Sequence, residues 1–202
     1  MPTAREALLD AALRALADRP WRTVRMVDVA ALAGVSRQTL YNEFGTKGGL
    51  GAALLRQAAD GYLTGVDRAL TAPTPEHPAA VARWTVRAAE ADPLVKGLLT
   101  GLWSEGLPRP GRDIPGPAQL LGLARDRMVD AAHQDASRPV VARRCELALR
   151  LALSYMIVPC PPGGAGSQCV EPDSWSPITP MITSEIDTSF SVETTSSRKT
   201  MP

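Results

Sequence analysis

Arg37, Gln38, Tyr41 and Asn42 lie within six consecutive residues and carry groups that can recognise DNA. Arginine and glutamine near a helix N-terminus can hydrogen-bond the edges of bases in the major groove. The Tyr41 hydroxyl can bind a phosphate, and its ring can contact a thymine methyl. On a helix, all four side chains are left facing outward once the apolar residues between them face inward.

Two short helices joined by a tight turn are needed to position these side chains. The first helix, within residues 25–33, would end at Gly34, which suits the left-handed conformation of a helix end. Ser36 is a good N-cap for the second helix, and Leu40 and Phe44, four residues apart, face inward. This pattern predicts a helix-turn-helix.

A further helix is predicted to start at Thr46 and Lys47. A helix N-terminus that carries a lysine is a natural binding site for a phosphate. Trp21, which follows a helix predicted within residues 3–18, is interpreted as a core residue beside that helix and not as a base-stacking residue.

Composition predicts an all-α fold. Alanine and leucine dominate residues 1–158, aromatic residues make up only 4% of the chain, and no alternating strand pattern stands out. Thr3 and Glu6 have the spacing of a capping box at the start of the first helix. Prolines divide the predicted helical blocks, which are 3–18, 25–71, 78–106 and 117–158. Internal turns are possible within each block, and a further break is predicted near residues 137–139.

The composition changes at Pro159. Residues 159–202 contain 8 Ser, 6 Thr and 7 Pro but no Leu, so they lack the apolar surface needed to offset the entropy of ordering. We therefore predict a disordered Pro/Ser/Thr-rich tail. Its scattered apolar residues leave open a short interaction motif, formed by Ile178, Met181, Ile182, Ile186 and Phe190.

Residues 33–47 read A-G-V-S-R-Q-T-L-Y-N-E-F-G-T-K. This stretch resembles the DNA-binding signature of the TetR family of bacterial transcriptional regulators, A-G-V-S-x-x-T-L-Y-x-x-F-x-x-K, at every fixed position. The resemblance implies a three-helix DNA-binding domain over 1–47 and a helical effector-binding and dimerisation domain over 48–158, before the tail at 159–202. Together with the outward-facing pattern, it predicts DNA contacts by Arg37, Gln38, Thr39, Tyr41, Asn42, Thr46 and Lys47.

The resemblance also implies a cytoplasmic homodimer that represses transcription from double-stranded operator DNA and is released by a small-molecule effector. We expect an apolar effector of unknown identity, and Trp84 and Trp103 are the candidate contacts for it. Repression and activation are not distinguished by sequence. The role of Glu43 is left open among three possibilities. Its carboxylate would repel phosphate, accept a hydrogen bond from a cytosine amino group, or pair with a nearby basic residue.

The long helix predicted from residue 47 to residue 71 is rich in glycine. Two interpretations stand: a soft connector that reorients the DNA-binding domain, or drift in a composition already rich in Gly and Ala. The predicted last helix is apolar on nearly every side, which favours burial against a second subunit.

Other functions have little support. The chain carries a net charge of +1, which excludes histone-like binding, and it has only two histidines, far apart in sequence. No catalytic motif or metal-ligand spacing is recognisable, so we expect no enzyme, no metal and no cofactor. No apolar run is long enough for a membrane helix. An interaction module without DNA binding, and a small enzyme using an apolar cavity, are the alternatives.

Overall fold

The computed structural model describes residues 3–71, 77–132 and 137–158. Within these residues every element of regular secondary structure is a helix, which confirms the predicted all-α fold. A short 3-10 turn, Trp21–Thr23, follows the first helix. The helices are α1 (Ala4–Asp18), α2 (Met26–Leu32), α3 (Arg37–Phe44), α4 (Lys47–Thr71), α5 (His77–Ala91), α6 (Pro93–Thr100), α7 (Pro117–Ala131) and α8 (Arg138–Ile157). The predicted disordered tail, 159–202, lies outside the described residues.

Helices α1 to α3 form the head that carries the candidate DNA-binding residues. The Thr3 hydroxyl accepts a hydrogen bond from the Glu6 N–H at 3.2 Å, and the Glu6 carboxylate accepts one from the Thr3 N–H at 2.7 Å. The predicted capping box is therefore present. Gly34 turns the chain between α2 and α3 with φ at 69°, a conformation that costs glycine little.

Helices α4 to α8 form the second, larger part of the protein. Helix α5 packs mainly against α8 and α4, while α7 packs between α4, α6 and α8. Buried apolar side chains form a continuous cluster that runs from α1 to α8. The two predicted domains therefore share one core and press directly against each other.

The predicted helical block over 78–106 has an internal break at Asp92, which the prediction allows, but its last helix ends at Thr100 and not at residue 106. The Asp92 carboxylate accepts a hydrogen bond from the Leu94 N–H at 2.8 Å, and Pro93 occupies the first position of a new helix. That helix ends at Gly101, whose φ of 74° is left-handed. Residues 101–116 instead form an irregular connection to α7. The predicted break near 137–139 is present, because α7 ends at Ala131 and α8 begins at Arg138.

Two glycines of α4 allow tryptophan rings to approach the helix backbone. A Cβ added to Gly65 would overlap the Trp84 ring, and the indole N–H of Trp84 donates to the Tyr62 carbonyl at 3.1 Å. A Cβ added to Gly51 would lie 3.2 Å from Trp21 and 3.1 Å from Pro108. These positions are therefore packing requirements, a third interpretation beside flexibility and drift.

A buried hydroxyl pair reinforces the Trp84 contact. Thr85 is fully buried and donates its hydroxyl hydrogen to the Val81 carbonyl at 2.8 Å. The Tyr62 hydroxyl lies 3.0 Å from the Thr85 hydroxyl, so it must be the donor between the two. Burial raises the pKa of Tyr62 to about 12, which keeps this donor neutral.

We expect Gly65→Ala to destabilise the protein by about 1–3 kcal/mol, because the new methyl group overlaps the Trp84 ring. Gly61→Ala is the matched control one turn earlier in α4. Nothing lies within 4 Å of its added Cβ, so this change should stabilise the protein by up to about 1 kcal/mol. Urea unfolding measures both. Equal stabilisation by the two changes would contradict the packing requirement at Gly65.

Candidate nucleic-acid interface

The candidate interface is the exposed face of α3. The head fixes this helix through a cap at its start and buried side chains toward its end. The Ser36 hydroxyl accepts a hydrogen bond from the Thr39 N–H at 3.0 Å, so Ser36 is the predicted N-cap. Leu40 is fully buried and Phe44 is 9% exposed, as their spacing predicts. These anchors fix the rotation of α3 about its axis, and with it the side chains that face solvent.

Arg37, Gln38, Tyr41 and Asn42 all lie on the exposed face of α3. The Gln38 amide N–H donates to the Asn42 amide oxygen at 2.7 Å, so one side chain orients the other. Each amide retains further donors and acceptors for a base edge. Arg37 makes no ion pair or side-chain hydrogen bond within the described residues, and Tyr41 is 46% exposed. The face thus combines one unengaged cation with an oriented pair of amides.

Thr39 and Thr46 use their hydroxyls within the protein. The Thr39 hydroxyl lies 2.8 Å from the Ser36 hydroxyl, and the Thr46 hydroxyl accepts a hydrogen bond from the Gly49 N–H at 3.0 Å. Thr46 therefore satisfies one of the otherwise unpaired donors at the start of α4. Each side chain supports a helix start, and the DNA contacts predicted for both of them remain predictions.

Lys47 lies at the start of α4, as predicted, but it is already engaged by the head. Its ammonium donates to the Arg22 carbonyl at 3.0 Å and lies 5.3 Å from the centre of the Trp21 ring. Desolvation by burial lowers the pKa of Lys47 from its ordinary value. An ammonium has three donors, so two remain for a phosphate. Lys47 can therefore bind DNA while it holds α4 to the 3-10 turn.

Glu43 pairs with a basic residue, one of the three roles considered from sequence. The Arg5 guanidinium lies 3.4 Å from the Glu43 carboxylate and 3.4 Å from its backbone carbonyl. The same guanidinium lies 4.8 Å from the centre of the Phe44 ring. Arg5 thus joins α1 to the last turn of α3. Sequence reasoning missed Arg5, and no local signal marks a partner 38 residues away.

The two predicted effector contacts have different surroundings. Trp84 borders a cavity of about 260 Å3 between α1, α4, α5 and α6. Trp103 packs against Gly97, where an added Cβ would lie 2.7 Å from the ring. It borders neither this cavity nor a second one of about 440 Å3 between α6, α7 and α8.

The described residues hold no cluster of three or more His, Cys, Asp or Glu side chains placed to bind a metal ion. In the same ranges, no helix has the length and apolar character to cross a membrane. Cys145 is buried as a free thiol, and burial raises its pKa to about 11. His133, Cys160 and Cys169 lie outside the described residues.

Three comparisons agree on the family. The family model for bacterial regulatory proteins of the tetR family matches residues 8–54, which span the head and the start of α4. The HTH-type transcriptional regulator AlkX of Mycobacterium tuberculosis (strain ATCC 25618 / H37Rv) is 34% identical over 164 residues. That alignment covers 77% of this chain and 75% of the relative.

A crystal structure supports the same fold. The TetR family repressor AlkX from Dietzia sp. strain DQ12-45-1b, described as implicated in biodegradation of n-alkanes, superposes with a TM-score of 0.53. The match covers 90% of this chain and 96% of the Dietzia chain at 22% identity. Together with the motif on α3 and the M. tuberculosis relative, these findings place the chain in the TetR family of bacterial regulatory proteins, as a helix-turn-helix transcriptional regulator.

Proposed function

We propose that this protein is a dimeric repressor that leaves its operator when a small apolar molecule binds. The observation that carries the proposal is the exposed face of α3, where Arg37 lies beside the oriented Gln38–Asn42 pair. Arginine pairs with the O6 and N7 atoms of guanine, and glutamine or asparagine pairs with adenine. The relatives support repression, since the Dietzia protein is described as a repressor.

Dimerisation is supported by apolar side chains on the last two helices. Several large ones are exposed: Leu123 on α7, and Leu147, Ile157 and Val158 on or just after α8. A single subunit gains nothing by exposing them, and a second copy would cover them. Two heads related by a two-fold axis would read half-sites about one DNA turn, ~34 Å, or a multiple of it apart.

Release needs a path from the second domain to the head, and residues 101–116 offer one. The backbone N–H of Trp21 donates to the Gly106 carbonyl at 2.7 Å. Buried Pro108 lies against Gly51, where Trp21 also packs. A shift of α6, which leads into this connection, would therefore act on Trp21 and on the start of α4. Lys47, stacked on the same ring, would move with them.

The interaction-module alternative rests partly on an uncompensated acid at position 43. Arg5 supplies that acid with a partner, so the observation no longer favours the alternative. The decisive experiment is selection of binding sites from random-sequence DNA with the full chain. Recovery of a palindromic site occupied by two protomers supports the proposal, and recovery of no preferred site contradicts it.

Arg37→Ala should weaken binding to the selected operator by about 1–3 kcal/mol and relax the preference at one base of each half-site. The physical reason is the loss of a direct hydrogen bond to a base edge. Fluorescence anisotropy at fixed salt measures the affinity. Arg68→Ala removes the same charge from the exposed far end of α4, roughly 30 Å from Lys47 at 1.5 Å per residue, and should leave affinity unchanged. If the two variants bind alike, Arg37 does not read a base.

Lys47→Met should weaken binding to operator and to scrambled DNA by the same factor, because the lost contact is to phosphate. The slope of log K against log salt should fall in magnitude by about 1. Methionine keeps an apolar stem over Trp21, and unfolding measurements check that the head stays folded. An unchanged salt slope would show that Lys47 serves only the internal contacts.

Arg5→Ala should weaken DNA binding, since it leaves the Glu43 carboxylate uncompensated near the phosphates. Adding Glu43→Gln to this variant should restore most of the lost affinity. Because the pair is exposed, with side chains 46% and 37% accessible, its effect on stability should stay within about 1 kcal/mol. A double variant that binds as weakly as Arg5→Ala would mean that Arg5 contacts DNA itself and does not act by neutralising Glu43.

A further inference from the structure

The cavity beside Trp84 is formed jointly by the head and the second domain. Leu13 of α1 lines it together with Leu54 and Gly61 of α4, Trp84 of α5 and Val95 of α6. The Leu13 side chain is 36% exposed. A molecule in this cavity would cover that side chain and would touch a helix of the DNA-binding head.

The aromatic walls of the cavity have no hydrogen-bond donors to offer. The Trp84 N–H is committed to the Tyr62 carbonyl, and the Tyr62 hydroxyl is committed to Thr85. The remaining polar lining groups are the Gln57 amide and the half-buried Asp92 carboxylate. Asp92 accepts a hydrogen bond from the Leu94 N–H through one oxygen, and its second oxygen is unpaired within the described residues. No lysine or arginine is among the described residues that line the cavity.

These groups select the chemistry of a ligand. A carboxylate at the rim repels anions and attracts a hydrogen-bond donor, above all a charged one. The other cavity differs, since Arg125, Glu146 and Arg150 lie among its lining residues. The first cavity has a volume of about 260 Å3. This is several times the ~30 Å3 that one molecule of liquid water occupies, so the cavity has room for an apolar chain of several carbons with a small head group.

We propose that the effector binds in this cavity between α1, α4, α5 and α6, and that it is an apolar chain with a hydrogen-bond-donating head group held by Asp92. This inference rests on the proposed function, whose release step it specifies. The apolar chain lies along Leu54, Trp84 and Val95, and its end covers Leu13. Because the ligand contacts the head and the second domain together, binding changes how the two pack and lowers the affinity for DNA.

The test uses three probes of equal chain length: octylamine, 1-octanol and octanoate. Isothermal titration calorimetry on the full chain without DNA should show binding of octylamine and 1-octanol. Octanoate should bind about tenfold or more weakly than octylamine, the factor expected for one charge-assisted hydrogen bond. Asp92→Asn should remove most of that preference while asparagine still caps α6. Equal binding of octanoate, or no binding of octylamine and 1-octanol, would overturn the proposal.

One glycine in each cavity allows the two candidate binding sites to be tested separately. Gly61 lines the first cavity and Gly122 lines the second, and nothing lies within 4 Å of a Cβ added to either. Leucine at these positions fills space and favours the helix, so both variants should fold. Gly61→Leu should weaken octylamine binding by about tenfold or more, and Gly122→Leu should leave it unchanged. The reverse pattern would place the ligand in the second cavity and overturn the assignment.

The effect on DNA is measured separately. Octylamine should lower the affinity of the wild-type protein for the selected operator and should have no such effect on Gly61→Leu. If the unliganded protein selects no operator, the proposed repressor function is contradicted. The calorimetry still tests whether the ligand binds in the cavity. Operator binding that octylamine leaves unchanged, despite its binding to the protein, would count against release through this cavity alone.

Discussion

The structure depends on the close approach of two indole rings to α4, the longest of the described helices. Trp21 packs on Gly51 near the start of α4, and Trp84 packs on Gly65 further along the same helix. Each ring comes from a different part of the protein, so α4 joins the head to the second domain through both contacts. A side chain at either glycine would push the ring away from the helix, because protein interiors have little free volume.

The proposed DNA-binding face of α3 is organised by contacts inside the head. Ser36 caps α3, Gln38 orients Asn42, and Arg5 neutralises Glu43 at the other end of the same helix. Gln38 and Asn42 therefore have less side-chain freedom to lose if this face binds DNA, whereas Arg37 is unengaged within the described residues. With a net charge of only +1 on the whole chain, such geometry matters more than a strong positive field.

The head contacts the second domain at two places: at the cavity, and at the junction where Trp21 meets Gly51, Gly106 and Pro108. The cavity reaches α1 through Leu13, whereas the connection after α6 reaches Trp21 through Gly106 and Pro108. Helix α6 takes part in both, since Val95 lines the cavity and the chain beyond Gly101 leads to the junction. A ligand that displaces α6 would therefore act on the head from two sides, which makes a coupled response physically reasonable.

Much of the head could be predicted from sequence because its signals are short-range. The Thr3–Glu6 capping box, the turn at Gly34 and the N-cap at Ser36 each depend on residues at most five positions apart. The same reasoning extended the helical block over 78–106 beyond Thr100, where α6 ends. The apolar composition there continues through the break, while Asp92 and Pro93 start a new helix and Gly101 ends it.

The sequence by itself determined the fold class, the helix-turn-helix and the outward face of α3, because local backbone preferences and helical periodicity decide them. Tertiary structure alone decided which distant groups meet. It paired Arg5 with Glu43 and engaged Lys47 with Arg22 and Trp21. It also set Trp84 beside a cavity and Trp103 against Gly97, although the sequence places both tryptophans in the same predicted helical block. The physical reason is that the neighbours of each side chain come from other helices, whose approach follows from packing of the whole core.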